Sequence, residues 1–376
     1  MAEIREETAR AGEGERLKML HEEAAHPRSN SGMDPGDPRR KAIEAEEMRD
    51  RTAVEAGEED YEADMAAKFR HRWEERWSGY FGSFEDTTLI PPMRFTDEPP
   101  GPRDFACSYM HTLNVFSVKL AGLHRDLAWP LHVFSIVAAR DTLDHNRNII
   151  LHRTRDNRQI IHQEDPYLEL TGPIRGIVVI DPVKFEVVLK VKGSTESEDK
   201  DLSFLVVRYF SNGGESRSLV INKIRTNKLS TLELTFGHIV RSVEAAISVR
   251  VIGGSWPDGF RGVFTATTGS INHMKFSLLS SRNCKFPVKS DGMILLSRCV
   301  VCVELDGELM VSIMAQHEDE EKVVDQSDDN VFTPKKAGRS HNILKIGSCK
   351  MEVTVACSVF SDRILVRDEW VGARHL

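Results

Sequence analysis

Alternating side chains between residues 172 and 210 restrict this chain most strongly to a β architecture. One face of the first strand would carry five apolar side chains, Val183, Phe185, Val187, Leu189 and Val191. The intervening positions are charged except at Val188, which is the pattern of a half-buried strand. A polar loop at 193–201 leads to a second apolar segment at 202–210. The stretch predicts a long antiparallel hairpin, whose apolar face needs a second layer to cover it.

Short apolar segments separated by turn residues continue this pattern. Strands are expected at 113–120, 129–139, 148–151, 159–162, 218–224, 230–236, 263–268, 273–279, 342–346 and 350–360, with 365–370 extending the last one. Residues 239–252 fit a helix or a strand, and a strand is favoured because Val and Ile dominate the second half. We therefore predict a mainly β protein, an antiparallel β-sandwich or a related barrel.

The dipeptide Asp306-Gly307 separates two alternating segments, which is a strong hairpin signal. A two-residue turn at this point would pair Leu305 with Glu308. The predicted core face of this hairpin is shared by five side chains, Val300, Cys302, Leu309, Val311 and Ile313.

Composition divides the chain into four predicted parts. Residues 1–36 have few large apolar side chains to bury, so they form a disordered acidic tail. Residues 37–78 form a charged amphipathic helix, and together these two parts are a helical or disordered N-terminal arm. Residues 79–103 contain glycines and two proline pairs and form a connector. The β-sandwich domain is expected to occupy residues 104–376.

Five large side chains recur in steps of four along the predicted helix: Tyr61, Met65, Phe69, Trp73 and Trp77. Such a row lies along one ridge of a helix. The favoured interpretation is that this ridge packs on the protein's own β domain, because two tryptophans are seldom left in water. The alternative is that the ridge binds another chain, which makes these five residues the candidate partner-binding site.

Charge and hydropathy narrow the classes of function. The chain has a formal charge of −8, of which residues 1–80 contribute −7 through 21 acidic and 14 basic side chains. The rest of the chain is nearly neutral and has no excess of basic residues that would attract a nucleic acid, so we expect no nucleic-acid partner. No apolar run of about 18 residues is present, so no membrane span is expected. The first ten residues lack the apolar core of a secretory signal, which favours an intracellular protein, cytoplasmic or nuclear.

The cysteines are expected to be reduced and mostly buried thiols. There are six, at positions 107, 284, 299, 302, 349 and 357. Cys299 and Cys302 have the spacing of a redox or zinc motif, but residues three apart in a strand point to opposite faces. Two packed thiols are therefore favoured over a shared metal or disulfide.

Acidic segments raise the question of calcium. The loop at 196–201 carries carboxylates of the kind that calcium prefers, and so does the segment 318–321. Lys200 interrupts the first segment, and neither has the fixed ligand spacing of a known calcium loop. A solvated loop is therefore favoured for both.

Asp141, Asp144 and His145, together with His152 or His162, could bind a transition metal. Their spacing matches no known ligand pattern. Asp and Asn side chains in such a sequence more often bond their own backbone, so a turn is favoured. The sequence therefore predicts no metal ligand, no cofactor and no catalytic residue.

The segment Trp256-Pro257-Asp258-Gly259 could form a loop-borne binding site. A structural turn closed by a buried indole is favoured. The sequence contains no Gly-x-Gly-x-x-Gly motif, no Walker loop and no Gly-x-Ser-x-Gly motif.

Longer strings resemble grass proteins that carry the domain of unknown function 6598. One is Gly-Ser-Trp-Pro-Asp-Gly-Phe-Arg-Gly at 254–262, and others lie at 82–96, 137–148, 165–173, 190–203 and 332–340. The resemblance covers roughly residues 77–360 and implies a plant origin, with no assigned catalytic residues to carry over. Some proteins of this resemblance look to be joined to ribosome-inactivating domains, which implies a stress or defence context.

Ribosome inactivation would need a glutamate and an arginine close together on a helix. The nearest match here, Glu244-Ala245-Ala246-Ile247, has isoleucine where the arginine is required, so N-glycosidase activity is not expected.

We predict a non-enzymatic interaction module whose partner is an unidentified macromolecule, with a protein favoured. The alternatives are an enzyme with a site built from loops and a calcium-responsive membrane-surface module.

Overall fold

The computed structural model describes residues 61–101, 107–211, 214–280, 287–317, 323–326 and 330–361. The predicted tail at 1–36, the predicted helix before residue 61, the acidic segment 318–321 and the strand extension at 365–370 lie outside the described residues. Apart from Gly214, the described residues belong to one unit, which comprises Met48–Ser211 and Glu215–Leu376.

Helix α1 (Tyr61–Phe81) precedes the strands. Glu62 and Asp64 lie in its first turn, where carboxylates interact favourably with the helix dipole. The helix ends at Phe81, and the next residue, Gly82, has a φ of 95° and donates its N–H to the carbonyl oxygen of Ser78. Glycine suits this position because no Cβ opposes the left-handed conformation.

The boundaries of the four parts predicted from composition stay predictions.

The described residues contain twenty strands, all paired antiparallel. They are β1 (Cys107–Ser108), β2 (Met110–Leu123), β3 (Leu131–Arg140), β4 (Asn148–Arg153), β5 (Gln159–Ile161), β6 (Ile177–Val178), β7 (Val183–Val191), β8 (Lys200–Tyr209), β9 (Leu219–Thr226), β10 (Ser230–Gly253), β11 (Phe260–Thr268), β12 (Phe276–Ser280), β13 (Met293–Ile294), β14 (Val300–Glu304), β15 (Leu309–His317), β16 (Val323–Gln326), β17 (Asn330–Phe332), β18 (Ala337–Ile346), β19 (Cys349–Ser358) and β20 (Phe360–Ser361). The prediction of a mainly β, antiparallel protein is confirmed.

Strand β10 is 24 residues long and connects the two halves of the β structure. Its first half, up to Ile239, pairs with β2 and β9. From Ser242 onward its main partners are β14 and β19. The register with β2 shifts between Ile239 and Ser242, and Arg241 there has a φ of 46°. An irregularity of this kind bends a strand, which lets one strand serve two differently oriented sheet regions.

Each half of β10 covers its own hydrophobic core. The first core is formed by the first half of β10, by β2 and by the sheet β4-β3-β7-β8, with Phe185 and Phe236 in ring contact at 5.1 Å between centroids. The second is formed by the second half of β10, by β18 and β19, and by the sheet β12-β11-β15-β16, with Phe264 fully buried. The hairpin predicted at 183–210 is confirmed as β7 and β8.

The hairpin predicted around Asp306-Gly307 is wrong. Strand β14 pairs with β10, whereas β15 pairs with β11, β16 and β17 in a different sheet. The turn therefore carries the chain from one sheet to the other across the second core. The predicted core face is also wrong for β14, because Val301 and Val303 point into this core instead of Val300 and Cys302. All five residues of β14 are buried, so both faces of this strand are covered and the predicted division into a core face and an exposed face does not hold.

Candidate functional site

The ridge of α1 packs on the protein's own β domain. The indole Nε1 of Trp73 donates a hydrogen bond to the carbonyl oxygen of His145 at 2.9 Å. The ring of Trp77 stacks on the imidazole of His145, with centroids 3.9 Å apart. Phe69 meets Phe84 edge to face at 5.8 Å. The favoured interpretation, that the ridge docks on the protein's own β domain, is confirmed for Trp73 and Trp77 through His145. It is confirmed for Phe69 through Lys184 of β7, whose Nζ lies 5.7 Å from the ring centroid.

Tyr61 and Met65, the first two residues of the ridge, are half-buried. Beside them Glu62 forms an ion pair with Arg225 of β9 at 3.7 Å. Binding of another chain by the five ridge residues stays a prediction.

A groove of about 300 Å³ lies beside α1 on the outer face of the sheet that contains β3, β7 and β8. Its floor is a row of apolar side chains from these strands: Ile136, Val188, Phe204 and Val206. The first three lie directly opposite one another across the sheet. Alternate residues on the same strands point into the first core. The outer face of the sheet therefore carries an apolar patch among charged positions, and α1 covers only part of this face.

The rim of this groove carries a buried charge cluster. Glu186 accepts hydrogen bonds from Arg140 at 2.9 Å and from Arg147 at 3.0 Å. The side chain of Arg140 also lies over the ring of Phe84, 3.9 Å from its centroid. Burial lowers the pKa of Arg140 to about 10, although Glu186 opposes the shift. The charges of Glu186 are thus already satisfied by two guanidinium groups.

Asp141 and Asp144, which were considered as ligands of a transition metal, bind the side chain of Arg175 in the structure. Arg175 donates to Asp141 at 2.6 Å and to Asp144 at 3.1 Å, and its side chain is fully buried. Burial by itself lowers the pKa of Arg175, but the two carboxylates raise it above its usual value. Asp141 also accepts from the N–H of Leu143, and Asp144 accepts from that of Asn146. The turn interpretation is therefore confirmed.

Neither of the other two histidines proposed for that metal set, His152 and His162, is buried with it. Both are exposed. The imidazole of His145 packs on α1, and burial lowers its pKa to about 4.

Glu244, the glutamate of the incomplete ribosome-inactivation motif, lies in β10 and not on a helix. Its two carboxylate oxygens each accept a main-chain N–H, from Met93 and from Gly176, both at 2.6 Å. Burial raises the pKa of this carboxyl. Glu244 therefore connects the 82–101 segment to the sheet.

The acidic loop at 196–201 uses its carboxylates internally. Asp199 accepts from Arg155 at 2.9 Å and from the N–H of Gly193 at 2.8 Å. Glu198 accepts from the N–H of Thr195. These bonds shape the hairpin end, and they occupy oxygens that a calcium ion would require.

Trp256 belongs to a structural turn. Its Nε1 donates to the carbonyl oxygen of Phe260 at 2.9 Å, and the indole is half-buried. The preceding Gly254 has a φ of 70°, and a Cβ at this position would lie 2.0 Å from the carbonyl oxygen of Ser348. Trp256 also lines a second groove of about 280 Å³, next to Val288.

Four cysteines have described side chains, and all four are free thiols. Cys302, Cys349 and Cys357 are buried, whereas Cys299 is exposed. Burial raises the pKa of Cys302 to about 12. Cys299 and Cys302 thus differ in environment, as expected for residues three apart in an extended segment.

A cluster that the sequence did not reveal joins β2, β10 and the connection between β8 and β9. The Nδ1 atom of His111 lies 2.8 Å from Nε2 of His238, and Nδ1 of His238 lies 2.6 Å from the hydroxyl of Tyr209. The carboxylate of Glu215 completes the group, and one ligand atom from each of these three residues, His111, Glu215 and His238, lies within 4.8 Å of the others. Residues 111 and 238 are 127 positions apart, so no local spacing could have shown the cluster.

These features define a mainly β, antiparallel protein with a partly covered groove and a buried histidine cluster. The chain belongs to the family of the domain of unknown function DUF6598, whose model matches residues 112–355. The predicted membership is confirmed, while a grass origin stays a prediction. Among curated proteins, no match to this sequence is found.

Solved structures with a detectable likeness are distant. Human GIVD cytosolic phospholipase A2 has 9% identity and a TM-score of 0.21, over 66% of this chain and 32% of that chain. The C2A- and C2B-domains of Extended-Synaptotagmin 2 have 7% identity and a TM-score of 0.23, over 74% of this chain and 100% of that chain. This chain thus spans about a third of the phospholipase. TM-scores this low carry no inference.

None of the helices in the described part of the chain is both long enough and apolar enough to cross a membrane.

Proposed function

We propose that this chain is a non-enzymatic, intracellular interaction module that binds another protein through the groove beside α1. The observation that carries the proposal is the row Ile136–Val188–Phe204 on the outer face of a sheet whose inner face already forms a core. Outward positions of an antiparallel sheet are normally polar. A partly exposed apolar row there favours a surface that another chain covers.

The chemistry of the groove resembles that of a protein interface. Apolar side chains form the centre, and Arg70, Arg147 and Glu186 lie at the edge. Interfaces commonly combine such an apolar centre with a polar rim. A volume of about 300 Å³ is at the small end of the range for small-molecule sites, and it suits an inserted side chain of a partner.

The alternatives have less support. An enzyme needs convergent polar groups that are available to a substrate, whereas Glu186 is bonded to Arg140 and Arg147. A calcium-responsive surface needs carboxylates that can turn to an ion, whereas Asp199 is bonded to Arg155. A plant stress or defence context rests on the family resemblance alone, and we retain it as part of the proposal.

The test compares full-length variants in affinity capture from a plant extract with quantitative mass spectrometry. Val206→Glu places a charge on the groove floor. Ile343→Glu is the matched control, because Ile343 is 48% exposed on β18, which takes no part in the groove. Circular dichroism and thermal unfolding first establish that both variants fold. Proteins retained by the native chain and by Ile343→Glu should be lost with Val206→Glu.

The candidate partner is then purified and titrated against all three chains. We expect its dissociation constant to rise at least about tenfold with Val206→Glu, as for loss of a central interface contact. If every captured protein binds the native chain and Val206→Glu equally, the groove is not the binding surface and the proposal fails.

A further inference from the structure

We propose that His111, Glu215 and His238 form a binding site for a divalent transition-metal ion of the Zn²⁺ type. The three residues come from separate parts of the chain, and the fold brings them together where β2 and β10 meet the connection that follows β8. Two imidazoles and one carboxylate are a ligand set that zinc sites use, with a water molecule in the fourth position.

The distances between the donor atoms fit such an ion. Ligands about 2.0–2.1 Å from a tetrahedral zinc lie about 3.3 Å from one another. The two imidazole nitrogens are 2.8 Å apart, and all three donor atoms lie within 4.8 Å of one another. Separating the two rings by about half an ångström would therefore admit the ion. Side-chain rotation is sufficient for a movement of this size.

Two of the three proposed ligands, His238 and Glu215, are each oriented by a hydrogen bond to a further side chain. The hydroxyl of Tyr209 lies 2.6 Å from Nδ1 of His238, on the opposite side of the ring from the proposed metal-binding Nε2. Ser211 donates its hydroxyl to Oε2 of Glu215 at 2.6 Å. Histidine ligands characteristically donate their second ring N–H to such a partner, which fixes the tautomer with its lone pair toward the metal.

The three proposed ligands differ in their exposure to solvent. His238 is fully buried, whereas His111 and Glu215 are half-buried. The more exposed side of the cluster is therefore the one that carries His111 and Glu215, and His238 forms its inner end.

The contrast with Asp141 and Asp144 shows what distinguishes this cluster. There a buried guanidinium, that of Arg175, lies where an ion would be and neutralises both carboxylates. At the His111 cluster the described hydrogen bonds join imidazole, carboxylate and hydroxyl groups, each of which can accept a bond.

The experiment titrates the untagged, chelator-treated full chain with Zn²⁺ by calorimetry and with Co²⁺ by absorption spectroscopy. We expect one equivalent of Zn²⁺ per chain and the visible bands of four-coordinate Co²⁺. Glu215→Gln and His111→Gln should each weaken Zn²⁺ binding at least about tenfold, and Tyr209→Phe by about 10–100-fold, as found for outer partners of metal ligands. His273→Gln, at an exposed histidine outside the cluster, should bind as the native chain does.

Two results would overturn the proposal. One is a Zn²⁺ affinity that neither Glu215→Gln nor His111→Gln changes, since binding would then occur elsewhere. The other is no saturable binding of one equivalent by the native chain, which would leave the cluster as a hydrogen-bonded pair of imidazoles. Glu215→Gln keeps the shape of a half-buried side chain, so its folding should not limit the comparison.

Discussion

The indole N–H of Trp73 donates to the main-chain carbonyl oxygen of His145, with 2.9 Å between nitrogen and oxygen. This bond attaches α1 to the turn that follows β3. His145 has a left-handed backbone with a φ of 53°, and its imidazole stacks on Trp77. A single turn residue therefore meets both tryptophans of the ridge, and the same turn carries the carboxylates that Arg175 binds.

Replacing Trp73 should loosen the docking of α1. Trp73 is 3% exposed, so Trp73→Ala should lower the free energy of unfolding by about 3–5 kcal/mol, as for other large buried aromatic residues. Trp73→Phe should cost less, because it keeps much of the packing. Urea unfolding followed by circular dichroism measures both. Tyr80→Ala on the same helix is the control, and at 59% exposure it should change stability by less than about 0.5 kcal/mol. Equal effects of Trp73→Ala and Tyr80→Ala would contradict the docking.

The buried ion pairs of Arg175 should be costly to break. Arg175→Met leaves Asp141 and Asp144 in the interior without their cation, and such a change typically costs about 3–5 kcal/mol. Arg339→Met breaks an exposed ion pair with Asp97, which is worth less than about 1 kcal/mol. Denaturant midpoints of the two variants should therefore differ clearly. A loss with Arg175→Met no larger than that with Arg339→Met would show that the pairs contribute little.

Stability should fall as the pH is lowered from about 6.5 towards 4, in part because of His145. Burial lowers the folded-state pKa of His145 to about 4 from 6.5. Between these values the unfolded chain binds the proton and the folded chain does not, so acid favours unfolding, by up to roughly 3 kcal/mol for this group. Glu244 has a raised pKa and contributes in the opposite direction.

His145→Asn isolates this contribution, since asparagine tolerates a left-handed backbone and does not titrate. The difference in unfolding free energy between pH 7 and pH 4.5 should be smaller for His145→Asn than for the native chain. His273→Gln, at an exposed histidine, should retain the native pH dependence. Identical pH profiles for the native chain and His145→Asn would exclude His145 as a source of the acid sensitivity.

The thiols should differ in reactivity. Cys299 is exposed, although partial desolvation also raises its pKa, whereas Cys302 is buried and its pKa is raised to about 12. Maleimide labelling of the native chain, with peptide mapping, should therefore modify Cys299 well before Cys302. Cys299→Ser should remove that label and leave the slow labelling of Cys302 unchanged. Equal rates at the two positions would contradict the described burial.

Elements that depend on neighbouring residues along the chain could be predicted from the sequence. The hairpin of β7 and β8 follows from alternation on one face and a polar loop between the strands. The turn at 144–146 follows from Asp and Asn side chains that bond their own backbone. The ridge of α1 was visible because a helix repeats about every four residues.

Tertiary structure decided which elements meet. The Asp306-Gly307 turn has the local chemistry of a hairpin, yet β14 pairs with β10 and β15 pairs with β11 in a different sheet. Pairing with β10 buries all five residues of β14, and this burial outweighs the local preference for a hairpin. The partner of Asp141 is Arg175, and the partner of His111 is His238, 127 positions away. Such contacts depend on long-range packing between strands, which leaves no mark in the spacing of residues along the chain.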